Sequence, residues 1–370
     1  MKSPGLPSIW SLLLASIPVT ASPAQSPNKN NDQIITGLFG SPTSEAQIVI
    51  HDTNGRPSWT WNVSSGKNVS PQLRQCLHDA CRGGGCAVPE VKWAENGQSV
   101  LAIYGYGAII INHHPGRADD KQITFGVCLN RDGMENSHTV ELLPDGKVAI
   151  ATTTSELTGN IKIFNRWGSQ PFSQPTQTLD GIPAVHALLW EPDNNLLWAA
   201  GNDRSPLAQG STSILNSYTY QNGWFQTTPQ TRVITPAVHL TSEWGGNTPW
   251  WDGSHAMTPI PNQRKLLIST DLDIHLYDMD EDTFVHGSAV QEAHLRGFQA
   301  LGARVGIDGA NLPRSDIKSV SFLENGHGLY VQAVWNETYG KSVTVLTGGS
   351  RRSIWNQMLY RARWFAETVW

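Results

Sequence analysis

The sequence predicts an all-β fold, a β-propeller of six four-stranded blades, and three observations carry that expectation. Charged residues make up only 15% of the 370-residue chain while Gly (34) and Pro (22) are plentiful, a balance that suits short strands joined by turns and not long helices with Lys/Glu surfaces. Five segments repeat one hairpin pattern. The stretches before the first and after the last of them could together build one more sheet.

The repeats begin at Val88 (VPEVKWAENGQSVLAIYG), Ser137 (SHTVELLPDGKVAIATT), Val185 (VHALLWEPDNNLLWAAG), Ser254 (SHAMTPIPNQRKLLIST) and Ile317 (IKSVSFLENGHGLYVQA). Each has a half-apolar run, a polar turn and a second strand rich in Val, Ile, Leu and Ala. The turn residues tolerate the positive φ that tight hairpins demand. A third strand candidate follows each hairpin, starting at Ala108, Ile161, Ser213, Ile274 and Val343. The first and third anchors lie about 48 residues from the second, near a propeller's blade length. Longer later intervals read as loop insertions around 203–212, 241–252 and 284–315.

Ile34 to Trp61 supplies strands of a further blade but lacks the leading inner strand, which Tyr360-RARWF near the C-terminus could provide. Mixing both termini in one blade removes the exposed edges of an open array. Five or seven blades remain open. A β-sandwich is the rival fold, and it does not explain five copies of one hairpin.

Residues 1–21 read as a signal peptide, with Lys2, the apolar run Ile9–Val19 and small residues at Val19-Thr20-Ala21. The apolar run is too short to span a bilayer. Residues 22–33 are expected to be a flexible segment and 34–370 a single secreted domain, expected to be a monomer. Sequons at Asn62, Asn68 and Asn336 fit that route. The net charge of −5 without a basic stripe argues against nucleic acid. The four cysteines, Cys76, Cys81, Cys86 and Cys128, suggest two disulfides in an oxidising compartment, with three pairings open.

Stacking the repeats puts Pro89, His138, His186, His255 and Lys318 in one column. Three neighbouring blades would thus present imidazoles at the mouth of a central channel. Such a set would suit one divalent transition metal, Zn or Mn, with an open coordination position. Glu90, Glu141 and Lys318 are the candidates for proton transfer, and Lys92 for contacting substrate. The same histidines could instead be architectural, tying turns together by hydrogen bonds.

Of 15 tryptophans, Trp244, Trp250 and Trp251 cluster in a Gly/Asn/Pro-containing loop just before His255, where they could stack on sugar rings. Most others, including Trp93, Trp190 and Trp198, fit strand patterns and packing. Asp278–Asp282 reads as a hairpin turn, because it lacks Ca²⁺-loop spacing.

On the segments SHTVELLPDG from Ser137, VHALLW from Val185, Gly253-Ser-His and Leu359-YRARW, the mature chain resembles a family of secreted bacterial and fungal β-propeller proteins of unassigned activity. That resemblance implies the propeller fold and the three histidines, and no reaction. The family often has an acid directly after the third histidine, where this chain has Ala256. A looser similarity is to propeller polysaccharide lyases, at the level of fold.

The leading functional expectation is a secreted carbohydrate-active lyase or hydrolase, metal-assisted at His138, His186 and His255. A non-catalytic glycan-binding propeller and a tailoring enzyme for a small secreted metabolite are the alternatives.

Overall fold

The computed structural model describes residues 33–41, 43–79, 86–153, 160–240, 250–301, 316–334 and 337–365. The signal-peptide reading and nearly all of the 22–33 segment lie outside them, as do Cys81, Trp244 and Asn336. The described chain is all-β apart from two short helices and one 3₁₀ turn. No helix among the described residues is long and apolar enough to cross a membrane.

The chain begins with β1 (Gln33–Leu38), β2 (Gln47–His51) and β3 (Pro57–Trp61), followed by helix α1 (Pro71–Asp79). The next antiparallel sheet is β4 (Glu90–Ala94), β5 (Ser99–Tyr104), β6 (Gly107–Asn112) and β7 (Ile123–Cys128). Another is β8 (Ser137–Leu143), β9 (Lys147–Thr152), β10 (Ile161–Asn165) and β11 (Gln177–Leu179). A five-stranded sheet holds β12 (Ala184–Glu191), β13 (Leu196–Asn202), β14 (Ser213–Gln221), the two-residue β15 (Trp224–Phe225) and β16 (Gln230–Thr235), the last two both pairing with β14. Then come β17 (Ser254–Pro259), β18 (Lys265–Thr270), β19 (Ile274–Asp278) and β20 (Thr283–His286), and helix α2 (Ser288–His294). The chain ends with β21 (Ile317–Phe322), β22 (Gly328–Ala333), β23 (Gly340–Thr347), β24 (Ser350–Ile354) and β25 (Leu359–Phe365).

β25 meets β23 at one pair, Gly340↔Leu359, and so links the last sheet to the first. It pairs antiparallel with β1, from Gln33↔Phe365 to Leu38↔Leu359, and so leads the N-terminal sheet. This is the place the sequence assigns to Tyr360-RARWF. Gln33, taken there as the last flexible residue, is already in β1.

The hairpin turns form for the local reason read in the sequence. Glu95, Asn96 and Gly97 all have positive φ (53°, 54° and 77°), as do Asp145 and Gly146 (57° and 64°), Asn195, Asn262 and Gly326. Asp278–Asp282 connects β19 to β20, and the Asp278 carboxylate accepts the N–H groups of Asp280 and Glu281.

Apolar residues on the two faces of each sheet bury against neighbouring sheets. Ile48, Ile50 and Trp61 pack with Val91, Val100 and Ala102 of the β4–β7 sheet. Leu101, Ile103 and Ile110 pack with Val140, Val148 and Ile150 of the next. The pattern recurs through the chain, and the last cluster joins Leu329, Val331 and Val343 to Ile34 and Val49. Complete burial of one such Ile or Leu contributes roughly 1.5–3 kcal/mol.

Helix α1 is an addition the repeat pattern did not announce. It lies so close to the sheet that a Cβ at Gly107 would come within 2.5 Å of Leu77, and one at Gly126 within 2.4 Å of Leu73. A disulfide from Cys76 to Cys128 at the end of β7 fixes it there, with Cα atoms 5.6 Å apart. Cys86 is also disulfide-bonded.

Candidate functional site

The histidine column has a structural cause. Ladder register slips between Ser137 and Thr139, Val185 and Ala187, Ser254 and Ala256, and Ile317 and Ser319. The extra residues are His138, His186, His255 and Lys318. In β25 the slip leaves Tyr360 and Arg361 opposite one residue of β1. A bulge leaves its extra residue out of the ladder and redirects its side chain. Repetition of one bulge in five leading strands therefore gathers these side chains, while β4 has no slip and is preceded by Pro89.

Arg361 is fully buried and uses the carbonyls left over by the bulges. Its guanidinium donates to the main-chain oxygens of His138 (3.1 Å), His186 (2.5 Å) and His255 (2.7 Å), and to Glu90 Oε2 (2.6 Å). Glu90 also accepts from Arg363 (3.0 Å) and from Thr139 Oγ1 (2.9 Å). Burial alone would raise the Glu90 pKa, but Arg361, Arg363 and Lys92 outweigh it and hold the carboxyl at about 2.

On one side of this knot lies a cavity of about 770 Å³ lined by His138, His186, His255, Lys318, Tyr360 and Trp250, among others. The imidazoles form a row of edge-to-face contacts, with ring centroids 5.0 Å apart for His138–His186 and 4.9 Å for His186–His255. His255 is bonded at both nitrogens. Its Nε2 is 2.6 Å from Asp271 Oδ1 and its Nδ1 is 3.1 Å from the Tyr360 hydroxyl. A carboxylate only accepts, so Nε2 carries the proton and Nδ1 accepts from Tyr360. Asp271, from the end of β18, is held in turn by the N–H of Gly253.

His138 Nδ1 lies 2.9 Å from the Asn136 carbonyl, which makes it the protonated nitrogen. His186 Nδ1 is buried without a hydrogen-bond partner among the described residues. Burial lowers the pKa of all three rings, and the cations Arg361 and Lys318 add to it. His138 falls to about 4, and His186 and His255 well below their ordinary value. The row is neutral near pH 7. Burial would discharge Lys318, but Asp316, Tyr360 and Asp271 reverse that and keep it an ammonium. Burial raises the Tyr360 pKa, against the pull of Lys318 and Arg361.

Among the described residues, the trio whose ligand atoms all lie within 4.8 Å of one another is His255, Asp271 and Asp316. A cation is already there, because Lys318 Nζ is 2.5 Å from Asp316 Oδ1 and 3.3 Å from His255 Nε2.

The structure brings the three histidines, Lys318 and Trp250 together around one cavity and places the other described sequence candidates elsewhere. Glu90 is inside the ionic knot. Lys92 and Glu141 pair at 2.6 Å and line a second cavity of about 370 Å³, together with Trp93, Glu95 and Trp190. Burial raises the Glu141 pKa, against the effect of Lys92. Trp250 lines the histidine cavity, whereas Trp251 rests against His239 with ring centroids 5.2 Å apart. Asn68 is exposed; Asn62 is half-buried and its Oδ1 accepts the Ser65 N–H.

Sequence reasoning missed Tyr360, Arg361, Asp271 and Asp316. Placing Leu359-Tyr-Arg in the repeat column would have revealed the first two. The two aspartates come from outside the leading strands, and no spacing rule reaches them.

No family model and no curated protein matches this chain. Among solved structures, it is similar to the extracellular domain of what is described as a one component system from B. thetaiotaomicron (12% identity, TM-score 0.42, 88% of this chain and 33% of that one). It is similar to dihydro-heme d1 dehydrogenase NirN (12%, 0.41, 93% and 56%). It is also similar to a hypothetical selenium-binding protein from Sulfolobus tokodaii (11%, 0.44, 90% and 93%). The chain thus spans about a third and about half of the first two. Overlaps this loose bear on neither substrate nor reaction.

Proposed function

We propose that this chain is a secreted six-bladed β-propeller, closed by β25 on β1, whose 770 Å³ cavity is a proton-transfer site for a uronate-containing oligosaccharide, working as a lyase. The core clusters shared by consecutive sheets, the last with the first, support the closed ring. The reaction rests on one observation, the Tyr360–His255–Asp271 chain of hydrogen bonds at 3.1 and 2.6 Å.

In β-elimination a base removes the proton beside the carboxylate, the C–O bond to the leaving sugar breaks, and an acid protonates the departing oxygen. His186 is the base, a neutral imidazole with no competing bond at Nδ1. Tyr360 turns its O–H from His255 Nδ1 to the leaving oxygen, gives up the proton there and recovers one through solvent, and His255, oriented by Asp271, holds the hydroxyl in place between turnovers. Lys318 supplies the positive charge that stabilises the carboxylate as negative charge builds on it. Each turnover yields one fragment with an unsaturated uronate at its new non-reducing end and one fragment with a new reducing end, with no oxidant needed.

The test is incubation of purified protein with pectic, alginate and glycosaminoglycan fragments, following the near-ultraviolet absorbance of the conjugated double bond. Product formed by the wild type and abolished in Tyr360→Phe supports the lyase. No unsaturated product from any uronate substrate would falsify it.

A second reading has its own observation. His186 is unpartnered at Nδ1, and His138 donates Nδ1–H to a backbone carbonyl, the usual support for a metal-ligating imidazole. These two would hold a divalent Zn or Mn, and His255 would join them only by giving up the Tyr360 bond at its Nδ1. Elemental analysis of the wild type beside a His138/His186/His255 triple-Ala variant separates the readings. About one metal per chain, lost in the variant, would favour metal-assisted chemistry.

A further inference from the structure

The turn that holds Asp271 against His255 carries a second cluster on its other flank. Asp271 follows Thr270, the last residue of β18, and Asp273 precedes Ile274, the first of β19. The turn is closed twice, by the Thr270 N–H on the Asp273 carbonyl at 2.9 Å and by the Asp273 N–H on Thr270 Oγ1 at 3.1 Å. Its two carboxylates serve different strands. Asp271 accepts from His255 of β17, whereas Asp273 accepts from His286 Nδ1 of β20 at 3.1 Å and from the Ile274 N–H at 2.7 Å.

His286 stands opposite His275 in the β19–β20 ladder. The Gly287 N–H donates to the Ile274 carbonyl at 3.2 Å, so the adjoining His275–His286 pair is a non-hydrogen-bonded one, the kind whose side chains approach closest. The two ring centroids are 5.4 Å apart, with planes inclined at 32°. Imidazoles sharing one tetrahedral ion, each bound through nitrogen at about 2.0–2.1 Å, hold their ring centres about 5 Å apart. The pair already stands near that spacing.

The rings also offer the lone pairs such an ion needs. Asp273 takes the proton of His286 Nδ1, which leaves Nε2 of the neutral ring as a donor to a metal. A carboxylate behind an imidazole is the usual support of a ligating histidine. His275 is 3% exposed, and neither of its nitrogens has a hydrogen-bond partner among the described residues. A buried polar atom left bare is costly, and an aliphatic side chain on this strand would avoid the cost. Burial lowers the His275 pKa to about 4, against the pull of Asp273, so the ring sheds no proton when it meets a cation near pH 7.

We propose that His275 and His286 bind one divalent transition-metal ion such as Zn²⁺, with water completing the coordination and Asp273 positioning His286. Two imidazoles without an oxygen-rich cage suit this class of ion and not Mg²⁺ or Ca²⁺. The ion ties β19 to β20 beside the turn from which Asp271 reaches His255. It is separate from His138 and His186 and does not depend on the reaction proposed above.

The test is titration of the full-length protein with Zn²⁺ against a chromophoric chelator. Wild type is compared with His286→Ala, Asp273→Asn and a His138→Ala/His186→Ala double variant. The His286 side chain is 67% exposed, so its loss should leave the metal-free melting temperature unchanged. His286→Ala should take up one ion fewer per chain than wild type, the double variant should keep that ion, and Asp273→Asn should bind it about 10–100-fold more weakly. In the double variant, added Zn²⁺ should raise the melting temperature, and adding His286→Ala should abolish the rise. Equal uptake by wild type and His286→Ala overturns the proposal, and so does an ion lost only with His138 and His186. Unchanged affinity in Asp273→Asn would remove Asp273 from the site.

Discussion

Arg361 Nη2 lies 2.5 Å from the main-chain oxygen of His186 and 2.7 Å from that of His255, so one buried guanidinium ties two bulged strands together through the residues whose side chains make the site. Replacement by Met, similar in length, would leave those oxygens unpartnered and take from Glu90 one of its two arginines. Arg361→Met should lower unfolding stability by about 3–5 kcal/mol, read by urea titration. Arg361→Lys should recover little, because one ammonium cannot reach four acceptors in the plane of a guanidinium. Wild-type stability in Arg361→Met would mean that the bulges hold themselves.

Glu90 predicts a pH dependence. Its folded pKa, about 2, is below the 4.5 of the unfolded chain. A depressed carboxylate contributes stability fully above the unfolded value and loses it as pH falls toward the folded one. The contribution is on the order of 3 kcal/mol. Wild-type stability should therefore decline from about pH 4.5 to about pH 2, and the gap to Glu90→Gln should narrow across that window. A gap constant with pH would remove Glu90 as the cause.

The disulfide predicts a loop-entropy effect. Cys76 and Cys128 are 52 residues apart, and closing such a loop is worth about 4 kcal/mol in the chain-entropy model. Cys76→Ser with Cys128→Ser should lose up to that amount in urea unfolding. An unchanged midpoint would show that Leu73 and Leu77 seat α1 unaided.

How far the sequence reaches can be judged from particular residues. The hairpins were legible because Pro-Asp-Gly and Glu-Asn-Gly carry backbone requirements that act locally. The histidine column was legible because a repeat aligns by itself. The bulge beneath it was not, since an extra residue in one strand shows only against its partner. Glu141 illustrates the other failure. It lies three residues after His138, and alternation along a strand carried it to the far cavity. Asp271 reaches His255 only through the pairing of β17 with β18, which is tertiary information.

Tyr360→Phe removes one oxygen and keeps the ring that contacts His138 and carries the Lys318 and Arg361 cations at 5.7 and 5.5 Å. The fold should persist while turnover drops by about 10²–10⁴. Loss of turnover with unchanged affinity for a non-cleavable uronate would place the hydroxyl in the chemical step. Equal loss of both would make it a binding group.

His186 separates a working site from an architectural one most sharply. An imidazole that holds turns together makes hydrogen bonds, and its removal weakens the fold. His186 is 7% exposed and has no partner at Nδ1, and a buried unsatisfied group of this kind costs roughly 1–3 kcal/mol. His186→Leu should therefore melt at or above the wild-type temperature while turnover is lost, the trade of stability against activity expected where function keeps a strained polar group. The main-chain carbonyl that meets Arg361 survives the change, so any drop in melting temperature would report on the side chain itself. A drop of several degrees with activity retained would return the histidines to an architectural role and leave the cavity without its base.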